Sequence, residues 1–164
     1  MKKIYIVAVA LVVLFVSVAA VSADDGFSFN FSSSQSSSTD GGSISFENGK
    51  LNIQGIELAI PDGYKENESA QKLGEKATDV DAKFSACEFT NGNKDIIVQV
   101  FFDDKNPFNN VTAKDGQENK TIGSVNGVYT PGANNTNPTF EYLKDGKIVS
   151  ISAPDDDTIA KIIK

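Results

Sequence analysis

Asx-Gly pairs between short runs of alternating apolar residues constrain this chain more than any other feature. A two-residue type I′ turn needs positive φ at both central positions, which Asn-Gly and Asp-Gly adopt at low cost, and its twist matches that of the flanking strands. Asn48-Gly49 divides "SISFENGKLNIQ", residues 43–54, so that Glu47 faces Lys50, Phe46 faces Leu51 and Ile44 faces Ile53. Asp145-Gly146 divides "FEYLKDGKIVSISAP" in the same way, setting Leu143 against Ile148, Tyr142 against Val149 and Phe140 against Ile151. Two hairpins follow, the first with both its apolar pairs on one face.

Further elements follow from the same logic. Asn91-Gly92-Asn93 joins "VDAKFSACEFT" to "DIIVQVFFD", in which Ile96, Val98, Val100 and Phe102 line one face while Ile97 and Phe101 flank Gln99 on the other. Apolar density on both faces marks a central strand. Ile56, Leu58 and Ile60 alternate in another strand, which ends where Pro61 removes a donor and Asp62-Gly63 turn the chain. A further short strand or hairpin is expected around Asn126-Gly127. Residues 66–76, "ENESAQKLGEK", are rich in helix formers and predict a short exposed helix interrupted at Gly74. Residues 103–120 read as a loop with one helical turn near Val111 to Lys114. The closing "PDDDTIAKIIK" places acids at the start of a helix, lysines at its end, and Ile159, Ile162 and Ile163 on its docking stripe. The expected architecture is α+β: a single antiparallel sheet of about six or seven strands, a short helix and a docked C-terminal helix, spanning residues 43–164.

The N-terminus sets the compartment. Lys2 and Lys3 precede an apolar run from Ile4 to Val21, and Val21-Ser22-Ala23 offers small residues to a signal peptidase. Residues 1–23 read as a signal peptide cleaved between Ala23 and Asp24; the alternative is an uncleaved anchor through residues 4–21. Residues 24–42 follow as a Ser-rich flexible linker. Phe27, Phe29 and Phe31 alternate just after the cleavage point, a pattern suited to strand addition at a sheet edge; the competing expectation is a disordered stub.

Charge and composition then exclude function classes. Cleavage removes two lysines and no acids, leaving 13 Lys against 22 Asp and Glu, a net charge of −9. Such a surface repels nucleic acid and, once the leader is gone, anionic membranes, so neither is expected as a partner. Every basic residue is lysine, and the chain has no His and no Trp. Histidine relays, imidazole metal sites and bidentate arginine forks are thereby absent, and the sequence carries no cofactor-binding, metal or catalytic motif. Cys87 stands alone in a strand, where packing competes with an intermolecular disulfide and with reactivity. Asp103, Asp104, Asn106, Asn109 and Asp115 offer oxygen donors for calcium, but the EF-hand spacing is not met and a solvated loop explains them equally. Asp79, Asp81, Asp103 and Asp104 near strand ends are the candidates for carboxylate-dependent hydrolysis, against a solvated acidic surface. Sequons at Asn30, Asn67, Asn110, Asn119 and Asn134 all fall in segments read as tail, loop or exposed helix, where an attached glycan is solvated.

The order of leader, Ser-rich spacer, hairpin, "GIELAIPDGYKEN" and terminal "FEYLKDGKIVSISAPDDDTIAKIIK" resembles small exported proteins of unknown function from methanogenic archaea. That resemblance implies an envelope environment and N-glycosylation. "IPDGY" also resembles the strand exit of PsbP/Mog1-like domains, which implies an antiparallel sheet with flanking helices and transfers no catalytic residue. The functional expectation is a non-enzymatic exported cell-surface protein acting in envelope structure, adhesion or ligand binding, with a protein or envelope polymer as partner. The alternatives are a carboxylate-dependent extracellular hydrolase and a carrier of a small apolar ligand.

Overall fold

Asn48 and Gly49 take φ of 51° and 76°, and Asp145 and Gly146 take 50° and 71°, so both Asx-Gly pairs adopt the left-handed geometry of type I′ turns. The computed structural model describes residues 37–39, 42–78, 80–133 and 136–164. The first turn joins β2 (Gly42–Glu47) to β3 (Lys50–Ile53), with Ile44 opposite Ile53, Phe46 opposite Leu51 and Glu47 opposite Lys50. Gln54 and Gly55, at φ 55° and 78°, then form a second left-handed turn into β4 (Ile56–Ala59). Sequence reasoning missed this turn because Gln is not a turn former. Its signals are Gly55 and the Asn52 carboxamide, whose Oδ1 accepts the Gly55 N–H at 3.2 Å. A short β1 (Ser37–Thr39), lying within the stretch read as linker, pairs with β2 and completes an antiparallel sheet in the order β1-β2-β3-β4.

The remaining strands form a second, eight-stranded sheet. Its strands are β5 (Lys65–Glu66), β6 (Lys72–Lys76), β7 (Lys83–Thr90), β8 (Asp95–Phe102), β9 (Glu118–Ile122), β10 (Val125–Thr130), β11 (Thr139–Lys144) and β12 (Lys147–Ser152). The order is β5-β7-β8-β12-β11-β10-β9, all antiparallel, with β6 also on β7. The expected single sheet is therefore corrected to two. The reason is in the register: the first sheet presents Ile44, Leu51, Ile53, Ile56 and Leu58 to the second sheet's Phe89, Ile96, Val98, Val100, Phe140 and Ile151 in one core. Each side chain of that size contributes about 1.5–3 kcal/mol when fully buried. Phe46 meets Phe89 edge-on across the two sheets, with ring centroids 4.9 Å apart. Interior β8, flanked by β7 and β12, has only Asp95 exposed and Ile97 half-buried.

Two local expectations are corrected and a third is narrowed. Residues 66–76 are not a helix: they hold the end of β5, a 3₁₀ turn at Glu68–Ala70 and β6. Leu73 alone of that segment packs on the core, too little for a helical stripe, whereas the edge of β7 offers backbone pairing. Gly74 at φ 63° makes the irregularity between Lys72 and Glu75, and its N–H is accepted by the buried Ser85 hydroxyl at 3.0 Å. Of the strand or hairpin expected around Asn126-Gly127, the strand is what forms; the hairpin turn that precedes it is at Gly123-Ser124, with Gly123 alone at positive φ, 60°, as a type II′ turn requires. Asn126 and Gly127 lie inside β10. Residues 103–117 hold no helical turn, and β9 begins within the stretch read as loop.

The C-terminal helix α1 (Asp156–Ile162) forms as read. Asp155 is its N-cap, accepting the Thr158 N–H at 2.8 Å and the Thr158 hydroxyl at 2.6 Å. Ile159 and Ile162 are fully buried beside the first sheet, so sheet and helix together cover one face of the eight-stranded sheet. The loop 103–117 covers part of the opposite, far face. Phe108 and Val111 pack with Phe84 onto buried Phe101 and Ile148, and the Phe108 N–H donates to the Gly146 carbonyl at 2.9 Å.

Candidate functional site

The end of β10, the loop that leads to β11 and the start of α1 frame an open depression of about 650 Å³. It is bounded by Tyr129 of β10, Pro131 and Pro138 of the following loop, and Pro154 to Asp157 at the start of α1. Proline and tyrosine supply rigid apolar surface; the aspartates supply charge. Lys120 of β9 fixes the rim, pairing with Asp156 at 2.6 Å while its Nζ lies 3.6 Å from the centre of the Tyr129 ring. Hydrogen bonds from Thr158 hold the Asp155 carboxyl below its ordinary range, and the Lys120 ammonium does the same for Asp156. Both stay ionised at neutral pH. The two ionised carboxylates give the depression a negative rim beside its apolar proline and tyrosine surface.

The most perturbed carboxyl lies elsewhere, on the far face. The pairings Gln99↔Ser150 and Ser150↔Glu141 align three buried polar side chains in one row across β8, β12 and β11. Burial pushes the Glu141 carboxyl up to about 7, against hydrogen bonding from Ser150 and the attraction of Lys114 in the covering loop. Sequence reasoning missed this residue. Alternation in "FEYLK" puts Glu141 opposite the core-facing Phe140 and Tyr142, on the face that the 103–117 loop partly covers, and that cover is set by residues distant in sequence.

The residues named from sequence are dispersed. Asp81 is exposed just before β7, Asp103 is half-buried just after β8, and Asp104 is exposed. The register Lys83↔Phe102 brings these to one end of the sheet, while Asp79 lies outside the described residues. Asp103 accepts the Lys105 N–H at 2.8 Å and the Asn106 side-chain amide at 3.1 Å, which hold its carboxyl low and close a local turn. Among the described residues, no group of three or more His, Cys, Asp or Glu converges as a metal site would require. Asn67 is half-buried and its amide donates to Glu88 at 3.1 Å, whereas Asn110 and Asn119 are exposed. Asn30, Asn134, Phe27, Phe29, Phe31, the apolar run 4–21 and the junction Ala23-Asp24 lie outside the described residues.

Cys87 is buried between Val98 of the neighbouring strand and the core, where desolvation and then the nearby Glu66 charge push its thiol up to about 12. Packing is thus the role its surroundings favour. A thiol reagent at pH 8 is expected to modify the native protein on the order of 1,000-fold more slowly than the denatured chain, because so little thiolate forms. Equal rates would overturn this.

Comparison with protein-family models, with curated proteins and with solved structures finds no match to this chain.

Proposed function

We propose that this chain is an exported, non-enzymatic cell-surface protein that holds an envelope polymer or a partner protein through its folded domain, from β1 to the C-terminal helix, on a Ser-rich tether. The carrying observation is that two of the three carboxylates around the larger depression serve the scaffold: Asp155 caps α1 and Asp156 is paired with Lys120, while Asp157 is exposed on the rim. Groups so committed can orient a ligand but have no proton to transfer at neutral pH. The space between the sheets is filled by large aliphatic and aromatic side chains, which favours a binding surface over an internal carrier cup. Strand addition by Phe27, Phe29 and Phe31 at a sheet edge is the proposed second contact.

The N-terminal peptide of protein recovered from the producing cells tests this reading. It is expected to begin at Asp24, in the medium or envelope fraction. A chain still carrying residues 4–21 would replace the tether with a membrane anchor, and recovery from the cytoplasm would overturn the proposal. Cross-linking on intact cells, with Asp157→Lys as comparison, is expected to capture an envelope component through the wild-type depression and less of it through the variant. Equal capture would remove the depression from the reading.

A further inference from the structure

Edge strand β9 carries a sequon in an unusual setting: Asn119 and Thr121, two residues apart, project from one face, while Lys120 between them turns to Asp156 on the other. The far side of this edge holds a second depression, of about 330 Å³, lined by Val111, Asn119, Lys120, Thr121, Asn126, Gly127 and Leu143, with the Lys120 ammonium itself held at Asp156. That volume is at the lower end of the ~300–1,000 Å³ typical of ligand clefts. Leu143 is the exposed large hydrophobic residue among those described, at 38 %. The lining therefore pairs amide and hydroxyl groups with an uncovered aliphatic patch, the combination a sugar ring meets with its hydroxyls and its C–H face.

We infer that Asn119 carries an N-linked glycan whose first sugar lies over Leu143. The inference rests on the exported reading, since the donor is met outside the cytoplasm. The donor is a lipid-linked oligosaccharide with a polyprenyl phosphate or diphosphate leaving group. Asn119 Nδ2 forms a bond to the anomeric carbon and gives up one amide proton to a base. The bond from that carbon to the phosphate oxygen breaks, and its electron pair leaves with the polyprenyl phosphate. Within this sequon the Thr121 hydroxyl donates to Asn126 Oδ1 at 2.6 Å while Asn119 itself is exposed; in the neighbouring sequons the asparagine amide is the group engaged. The Asn67 amide is engaged with Glu88, and Ser69 of the same sequon donates to Asn67 Oδ1 at 2.7 Å. Asn110 is exposed but lies in the covering loop, with its amide 3.4 Å from Thr112 Oγ1. Edge placement gives the glycan a physical role as well: bulk beside β9 keeps another strand from pairing with it.

Peptide mapping of the protein recovered from its producing cells, with the site localised by fragmentation, tests the inference. The peptide containing Asn119 is expected to carry a glycan mass. Thr121→Ser is expected to retain it, Asn119→Gln and Thr121→Ala to lose it, and Asn110→Gln to leave it in place. An unmodified Asn119 overturns the inference while an Asp24 N-terminus leaves the exported reading standing. In a second measurement, loss of the glycan is expected to raise binding of a hydrophobic dye, and Leu143→Ser to reverse that rise. No rise would remove the sugar from Leu143.

Discussion

Gly127→Ala is expected to destabilise the domain by about 2–4 kcal/mol, beyond the usual ~1–3 kcal/mol of overpacking because backbone is involved. Gly127 lies in β10 with its missing side chain directed toward Phe140 of β11. A Cβ there falls 2.6 Å from Phe140 Cζ and 2.8 Å from Cε2, and meets the Glu141 carbonyl oxygen as well. The carbonyl cannot swing aside without disturbing the β10–β11 pairing, and the ring, with no exposed surface, is held in the core. Gly123→Ala is the useful contrast. Its cost arises from a φ of 60°, with nothing within 4 Å of the added methyl, so it is expected near ~1 kcal/mol. Chemical denaturation of both variants checks this, and equal, small losses would show that the sheet relaxes around the methyl.

That glycine also shows where the sequence was legible and where it was not. Asn126-Gly127 has the composition of the turns at Asn48-Gly49 and Asp145-Gly146, yet only the latter two turn the chain. The difference is non-local: Phe140 needs a position without a side chain beneath it, and Gly123-Ser124 offers an alternative turn three residues earlier. Both well-read hairpins have apolar partners that match only in one register, so local chemistry and burial agree. Residues 66–76 fail for the opposite reason. Their helix formers express a weak preference of a few tenths of a kcal/mol each, and backbone pairing along β7 outweighs it. The number of sheets was beyond local reading, because which hairpin stacks on which strand depends on the whole core. The candidate depression was half legible. The "PDDD" start of α1 was read as a cap cluster, which it is, but its meeting with Tyr129, Lys120 and the loop prolines is set by the order of β9, β10 and β11.

Glu141 carries the second large effect, a stability that falls as pH rises. Its carboxyl titrates at about 7 in the fold against an ordinary 4.5, so between those values the folded protein holds more protons than the unfolded chain. The group's contribution is therefore fully favourable below pH 4.5 and is lost as pH rises through 7. A displacement of that size corresponds to at most about 3 kcal/mol, and relaxation of the loop with water entry reduces it to roughly 1–2 kcal/mol. Asp155 and Asp156 act in the other direction and in another window. Their carboxyls are held low, so their stabilisation is present above pH 3.8 and is lost as pH falls through their folded values. Thermal melting is thus expected to peak near pH 4.5–5 and to decline toward pH 8 by about 4–8 °C. Glu141→Gln keeps a hydrogen-bonding partner for Ser150 and removes the buried charge, so it is expected to raise the melting temperature at pH 8 and leave it nearly unchanged at pH 5. Lys114→Ala is expected to steepen the decline, since the ammonium facing Glu141 is the charge that offsets its burial. If Glu141→Gln instead lowered stability at pH 8 as much as at pH 5, the carboxylate would be a paired structural anion, and the pH dependence would have to arise from another group, with half-buried Glu66 the next to replace.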